Sequence, residues 1–167
     1  MRASRFRFFL MFFLGLAPMI GGCAITEGAA TVKYKAPSNI SIAPGADEVP
    51  VQVVSEDGRI ANRDRIATKK NGYGMEMARV VAENDVVEEL AAAVRTELAS
   101  LGFNVGEPGL KVTVETIEFY NDYKPGFWSA DAVAEVAFQF TAAKPDGQLV
   151  YSETYRAVGM NEGVEIM

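Results

Sequence analysis

Few side chains in this sequence are suited to common catalytic chemistry. The 167 residues include one cysteine, Cys23, and no histidine. Ser-His-Asp and Cys-His catalysis both require an imidazole, so they are excluded, as are histidine-ligated metal sites. A disulfide or a CxxC redox pair would need a second cysteine. A carboxylate-pair hydrolase is compatible with the many Asp and Glu residues, although no spacing singles out a pair. We therefore expect no enzyme activity, no cofactor and no metal.

The segment before the cysteine has the pattern of a secretory signal. It carries Arg2, Arg5 and Arg7 and no acid, and an apolar run of about 13 residues follows from Phe8 to Ile20. As a helix this run is about 20 Å long, which is shorter than the roughly 30 Å hydrocarbon core. A basic start, a short apolar run and small residues at its end predict a signal peptide over residues 1–22. A membrane span is the alternative.

The position of Cys23 indicates acylation. Ile20, Gly21, Gly22 and Cys23 resemble the lipobox of bacterial lipoproteins, an aliphatic residue and two small residues before a cysteine. The resemblance implies that the thiol carries acyl chains such as palmitate and that Cys23 becomes the new N-terminus. Multiple acyl chains would hold the protein on a membrane almost permanently. The residue after Cys23 is Ala24 rather than Asp, which by resemblance favours the outer membrane with the domain facing the periplasm. A free periplasmic thiol is the alternative.

Removal of the signal makes the chain more acidic. It takes three of the 16 Lys and Arg residues and none of the 22 acidic residues, so the net charge changes from −6 to −9. Neutralisation of phosphates supplies most of the affinity for nucleic acids, so we expect no nucleic-acid partner.

The rest of the chain divides into a tether and one domain. Residues 23–48 are rich in small residues, Pro and Gly, which predicts a lipid anchor and flexible tether with a possible edge strand at 31–35. Residues 49–167 form the predicted domain. Alternating apolar residues predict strands in five segments: 49–59, 75–82, 110–120, 131–142 and 149–159. The alternation slips between Thr116 and Ile117, which suggests a bulge, and Pro-Asp-Gly before the last strand predicts a hairpin turn.

The clearest element is a helix between the second and third of these strands. Asp85 can cap it by accepting from the Glu88 amide, while the Glu88 side chain reaches back, as in a capping box. Gly102 fits the left-handed position that ends a helix. One apolar stripe contains Val87, Leu90, Ala91, Val94, Leu98 and Leu101. Together the elements predict an α+β fold: a mixed, mostly antiparallel sheet of about five strands with one helix packed on one face.

The ordered set of segments resembles the YajG-like family of uncharacterised bacterial lipoproteins. The resemblance rests on "IATKKNGYGMEMARV", "ELASLGFNVG", "LKVTVETIEFY" and "AVAEVAFQFTAAKPDGQLVYSETYRAVG". It implies a membrane-anchored α+β domain without an assigned reaction. Members usually continue into a second helix where this sequence ends with "NEGVEIM", so we expect a truncated C-terminus. Apolar surface beside Phe138 and Phe140 would then be exposed and favour association.

Two segments are candidate partner sites. The first is a cationic loop with a turn at residues 71–74, whose amides could form an anion nest; its candidate residues are Arg59, Arg63, Arg65, Lys69, Lys70 and Tyr73. Peptidoglycan carboxylates, lipid headgroups or an acidic protein would suit it, and a solvated, charge-balancing loop is the alternative. The second is an aromatic turn with Tyr120, Tyr123, Phe127 and Trp128. It could form an interface or cover the end of the sheet.

Three classes of function follow. The sequence favours a non-catalytic, lipid-anchored envelope lipoprotein that binds an envelope protein or peptidoglycan and contacts the membrane through Cys23. An accessory subunit of an envelope transport machine is a narrower form of this reading. A carboxylate-based glycan hydrolase is the third class, and it requires a groove that holds two acids within reach of each other.

Overall fold

The structure is a computed structural model that describes residues 26–38, 40–71, 73–106, 108–125 and 129–165. Cys23, Phe127 and Trp128 lie outside these residues, as do the signal segment and the lipobox. The proposals for those positions therefore stay predictions.

Eight strands and one α-helix make up the described part of the chain. The strands are β1 (Gly28–Ala30), β2 (Pro50–Asp57), β3 (Ala67–Lys70), β4 (Glu76–Ala82), β5 (Asn104–Val105), β6 (Leu110–Pro125), β7 (Ser129–Ala143) and β8 (Leu149–Glu165); helix α1 (Val86–Ser100) follows β4. The prediction of about five strands is wrong. The five predicted strands correspond to β2, β4, β6, β7 and β8. Strands β1, β3 and β5 have three, four and two residues, which is too short for alternation to be recognised.

Strand β6 is the centre of the sheet because it has three neighbouring strands. Along its length it pairs antiparallel with β7, and β7 pairs antiparallel with β8. Its other edge is shared: β2 lies parallel to Leu110–Thr116, and β3 pairs at Asn121. The register shifts between Thr116 and Glu118, which confirms the predicted bulge. On the outer sides, β4 pairs antiparallel with β3, β1 pairs parallel with β4, and β5 pairs parallel with β2.

The N-terminus of α1 is capped as predicted, with one difference. The Asp85 carboxylate accepts hydrogen bonds from the amides of Val87 (2.9 Å) and Glu88 (3.2 Å). The Glu88 side chain does not complete a capping box. It accepts from Ser55 Oγ (3.1 Å) and Arg95 Nη1 (2.6 Å) instead, because strand β2 brings a hydroxyl within its reach.

The C-terminus and buried face of α1 confirm two further predictions. Gly102 has a φ of 99°, and the Phe103 amide donates to the Leu98 carbonyl (3.0 Å), as in a Schellman motif. Ala91 has no exposed surface. A side chain that ends at Cβ lets the helix approach the sheet closely. Together with Ala91, the hydrophobic core between the helix and the sheet contains Val51, Val53, Val112, Val114 and Ala142.

The segment predicted to be a tether is hydrogen-bonded to the domain from its first described residues. Strand β1 (Gly28–Ala30) lies on β4 and residues 31–35 form no strand, so the strand predicted there is wrong. Val32 exchanges two hydrogen bonds with the Asn84 side chain, at 2.9 and 2.8 Å. Further along, the Ala43 amide donates to the Leu101 carbonyl (2.9 Å). The segment therefore follows α1 from one end to the other.

Strands β7 and β8 form a long hairpin that closes at the predicted turn. The Lys144 amide donates to the Gln148 carbonyl (2.8 Å), and Gly147 has a φ of 87°. Strand β8 pairs with β7 alone in the described sheet, so its other edge is open. No helix within the described ranges is both long enough and apolar enough to cross a bilayer.

Candidate functional site

An apolar groove of about 610 Å³ lies between α1 and the β7–β8 hairpin. We define this apolar groove by Leu90, Ala93, Val94 and Leu98 on the helix, Phe138 and Phe140 on the sheet, and Tyr34, Glu97, Tyr151 and Tyr155 on the rim. It forms because α1 lies mainly over β2, β5 and β6, while β7 and β8 extend beyond the helix. It lies beside Phe138 and Phe140, where the sequence predicted exposed apolar surface.

Strand alternation brings the aromatic rings of the groove to one face. Phe138 on β7 is opposite Tyr155 on β8, and their rings stack with centroids 5.6 Å apart. Phe140 contacts Tyr151 edge-to-face at 6.1 Å. Tyr151 and Tyr155 remain 39% and 43% exposed. Since no described element covers them, aromatic surface lies open along β8.

The rim of the groove is acidic. The Tyr34 hydroxyl donates to Glu97, and this hydrogen bond raises the pKa of Tyr34. Tyr151 hydrogen-bonds with Tyr155 and donates to Glu153 (2.7 Å), and these contacts raise the pKa of Tyr151. No Lys or Arg in the described ranges forms an ion pair with Glu97 or Glu153. Both carboxylates therefore keep their charge available to a partner.

Two cations of the predicted cationic loop are engaged at the end of β2. The guanidinium of Arg59, with a side chain only 8% exposed, donates to both carboxylate oxygens of Asp57, at 2.9 and 3.0 Å. The hydrogen bond from Arg59 holds the pKa of Asp57 below its usual value. Arg63 donates to the carbonyls of Arg59 and Asp57, the latter at 2.8 Å. These contacts fold the segment onto itself.

Arg65 lines the same cleft as Arg59 and Arg63, whereas the two lysines lie elsewhere. Arg65 pairs with Asp64 at 3.2 Å, which lowers the pKa of Asp64. Lys69 and Lys70 are on strand β3 rather than in a loop. Lys69 Nζ donates to the Thr26 carbonyl (3.0 Å), and Lys70 pairs with Asp122. The structure therefore distributes the predicted cations over two places instead of forming one patch.

The turn at residues 71–74 presents Tyr73 to solvent. Tyr73 is 91% exposed. The amides of Tyr73 and Met75 both donate to Asn71 Oδ1 at 3.0 Å, so they are already occupied. Anion binding by this segment stays a prediction, and these two amides do not favour it.

The aromatic turn is described only in part. The Tyr120 hydroxyl donates to Thr68 Oγ1 at 2.7 Å, which ties β6 to β3. Tyr123 lies on β6, and Phe127 and Trp128 are outside the described residues. Tyr120 thus has a structural contact, and the interface role of all four residues stays a prediction.

A polar cleft of about 300 Å³ lies at the start of α1. Arg59, Arg63, Asp64 and Asp85 are among its lining residues. Asp85 caps the helix, and Asp64 has a lowered pKa because it accepts a hydrogen bond from Arg65. A general acid of a glycosidase needs a raised pKa. This geometry therefore does not support hydrolase chemistry in the cleft.

A model of an uncharacterised lipoprotein family matches residues 36–166. The chain belongs to the YajG-like family of uncharacterised lipoproteins. It is thus an envelope lipoprotein, and the resemblance inferred from the ordered segments is confirmed. No curated protein matches this lipoprotein.

One solved structure shows a related fold. A protein from Xanthomonas campestris in the DUF330 family has a TM-score of 0.51 and 16% identity, over 81% of this chain and 78% of that chain. A protein from Helicobacter pylori, described as a homolog of a neuraminyllactose-binding hemagglutinin, aligns over 80% of this chain and 75% of its own, with 6% identity and a TM-score of 0.30. The first comparison supports the fold alone, and the second is too distant to add to it.

The sequence predicted exposed apolar surface beside Phe138 and Phe140 but not the other residues that form the groove. Tyr151, Glu153 and Tyr155 alternate along one strand, so they share a face, and this signal was available. Tyr34 was not predictable, because it reaches the groove from the segment that was expected to be a free tether.

Proposed function

We propose that this lipoprotein is a non-catalytic binding module, anchored in the outer membrane by acyl chains such as palmitate on Cys23, with its domain facing the periplasm. Signal removal at residues 1–22 would expose that cysteine. Family membership supports an envelope lipoprotein, and the lipobox resemblance supports the position of the anchor.

The apolar groove is the observation that carries the binding role. Its floor consists of aliphatic and phenylalanine side chains, and among the described residues that line it Glu97 is the one carboxylate. Such a surface suits burial of an apolar partner. A glycan would need several polar groups placed around its hydroxyls, so peptidoglycan is the poorer match for this groove.

The negative charge of the groove's rim favours a partner that carries basic residues. Glu97 and Glu153 have no ion pair within the described ranges, and no basic residue lies in the last turn of α1. The negative end of the helix dipole adds to the acidic rim. An amphipathic helix with an apolar face and flanking Lys or Arg residues would complement both parts of the groove. We therefore propose a helical segment of an envelope protein as the occupant.

A pair of crosslinking positions can test this proposal in native membranes. Tyr155 faces the groove, while Thr154 precedes it on β8 and points to the other face of the sheet. A photoreactive residue at 155 in the full acylated protein is expected to form an adduct with a basic-flanked apolar segment, identified by mass spectrometry. The same residue at 154 should not form it. Adducts at 155 with lipid or with a second copy of the chain would overturn the proposed occupant.

Binding of two synthetic peptides provides a second test of the proposal. One amphipathic peptide with flanking lysines and a second with flanking glutamates, identical in their apolar faces, are compared by fluorescence anisotropy. The lysine peptide should bind more tightly, and Glu97→Gln with Glu153→Gln should reduce that preference. Equal affinities of both peptides for the unaltered protein would contradict the role of the rim. An adduct with an inner-membrane transporter would identify the accessory-subunit form of this function.

A further inference from the structure

The start of the described chain runs toward one end of the domain. Strand β1 is parallel to β4, so the residues before Gly28 run back toward the turn that joins β3 and β4. Glu27 pairs with Arg79 on β4, and the Thr26 carbonyl accepts from Lys69 on β3. These contacts hold the N-terminal chain beside the β3–β4 hairpin.

The distance from this point to the proposed lipid anchor is short. Three residue steps separate Thr26 from Cys23, which span at most about 11 Å between Cα atoms. Acyl chains on Cys23 would therefore keep the β3–β4 hairpin close to the bilayer surface. The segment that could have separated the domain from the membrane is largely used in hydrogen bonds to the domain.

Apolar side chains are exposed at the same end. We define the hairpin tip as Tyr73, Met75 and Met77, which are 91%, 58% and 38% exposed. A tyrosine with an apolar ring and a polar hydroxyl is typical of membrane interfaces. Lys69 on the adjoining strand is exposed and donates to a neutral carbonyl, so its charge can attract anionic headgroups, whereas Lys70 is paired with Asp122.

Four backbone amides of the described turn residues are hydrogen-bonded within the turn. The Asn71 amide donates to the Met75 carbonyl (3.0 Å), and the Gly74 amide donates to the Asn71 carbonyl (2.9 Å). The Asn71 side chain accepts from the amides of Tyr73 and Met75. An unpaired amide is costly in a low-polarity layer. These four amides are paired within the turn, which lowers the cost of placing the tip in the interface.

We infer that the hairpin tip inserts into the interfacial layer of the bilayer beside the acylated Cys23, and so holds the domain in one orientation. This inference rests on the acylation in the proposed function. The β6–β7 ladder places Phe140 ten residues along β7 from Ala130, which lies near the same end as the tip. Ten residues of strand span about 33 Å. The apolar groove is thereby held away from the membrane, where a protein partner can reach it.

Cysteine accessibility in vesicles tests the inference, because the chain has no other cysteine than Cys23. Full acylated protein is reconstituted in phosphatidylethanolamine–phosphatidylglycerol vesicles, carrying either Met75→Cys at the tip or Pro145→Cys in the exposed turn at the far end of the sheet. Reaction with a membrane-impermeant maleimide is followed over time. Because burial of one large apolar side chain shifts an equilibrium by at least about tenfold, we expect the Met75→Cys thiol to react about tenfold more slowly.

Further variants show whether a slow maleimide reaction is caused by membrane insertion of the tip or by the local environment of the introduced thiol. Adding Tyr73→Ser and Met77→Ser to Met75→Cys should raise its rate toward that of Pro145→Cys. Met77→Cys alone provides a second reporter if Met75→Cys does not fold. Equal rates at the two ends of the sheet, with Tyr73 and Met77 unchanged, would overturn the inference.

The unaltered protein distinguishes failure of the anchor from failure of the inference. An acylated Cys23 has no free thiol, so the unaltered protein should not react with maleimide. A reactive unaltered protein would refute the lipid anchor and the orientation that depends on it. An unreactive unaltered protein with a fast Met75→Cys thiol would leave the anchor standing and refute insertion of the tip alone.

Discussion

Asp57→Asn should destabilise the fold by removing the charge that balances a buried guanidinium. Two hydrogen bonds of 2.9 and 3.0 Å join Arg59 to the Asp57 carboxylate. Loss of one partner from a fully buried ion pair costs about 3–5 kcal/mol. The Asp57 side chain remains 33% exposed, and asparagine keeps one acceptor, so screening by water reduces the expected loss to about 2 kcal/mol.

Urea unfolding of the purified chain, followed by far-ultraviolet circular dichroism, measures this difference. Asp64→Asn is the matched control, because Asp64 also pairs with an arginine but its side chain is 50% exposed. An exposed pair contributes little to stability because water and salt screen it. If the two variants lost the same free energy of unfolding, burial of Arg59 could not be the cause.

The same pair predicts a dependence on pH. The pKa of Asp57 in the folded protein lies below its usual value because Arg59 hydrogen-bonds to the carboxylate. Stabilisation by a group with a lowered pKa is complete above its unfolded-state pKa of about 3.9 and is lost as the pH falls through the folded-state pKa. The difference between the unaltered chain and Asp57→Asn should thus be constant from neutral pH to about pH 5 and shrink below pH 4. A difference that grew on acidification would refute the assigned direction.

Two further predictions concern backbone geometry. Asp85→Ala should lower the free energy of unfolding by about 1 kcal/mol, because it removes the acceptor for two helix amides. Asp85→Asn keeps an acceptor and should retain most of that stability. Equal losses of the two variants in urea unfolding would refute capping as the reason. Gly109→Ala should cost about 1–3 kcal/mol, because its Cβ would lie 2.2 Å from the Pro50 carbonyl oxygen, whereas Gly159→Ala, with nothing within 4 Å, should be tolerated. Similar melting temperatures for the two alanine variants would contradict this reading.

Local patterns in the sequence predicted the elements that local chemistry controls. Asp85 and Gly102 specified both ends of α1, because a cap acceptor and a left-handed glycine act within one turn of the helix. The five longer strands were found from alternation, and the bulge after Thr116 was found where alternation slipped. The family resemblance followed from the order of these segments and was confirmed over residues 36–166.

Pairing between distant segments could not be predicted in the same way. Strands β1, β3 and β5 exist because β4, β6 and β2 offer edges to them, and two to four residues carry too little pattern to show this. Lys69 and Lys70 were consequently placed in a loop. Glu88 was assigned to a capping box, although Ser55 on β2 and Arg95 two turns further along α1 provide its contacts.

The sequence by itself determined which reactive side chains this protein contains and the net charge of its domain. A single cysteine after a signal-like segment, the absence of histidine and an acidic domain follow from residue identity alone. Only the tertiary structure decided where the surfaces lie. The apolar groove requires Tyr34, α1 and the β7–β8 hairpin to meet, and the hairpin tip lies at the end of the domain toward which the first described residues run, because β1 is parallel to β4. Both arrangements depend on contacts between segments far apart in the chain, and local residue patterns do not encode such contacts.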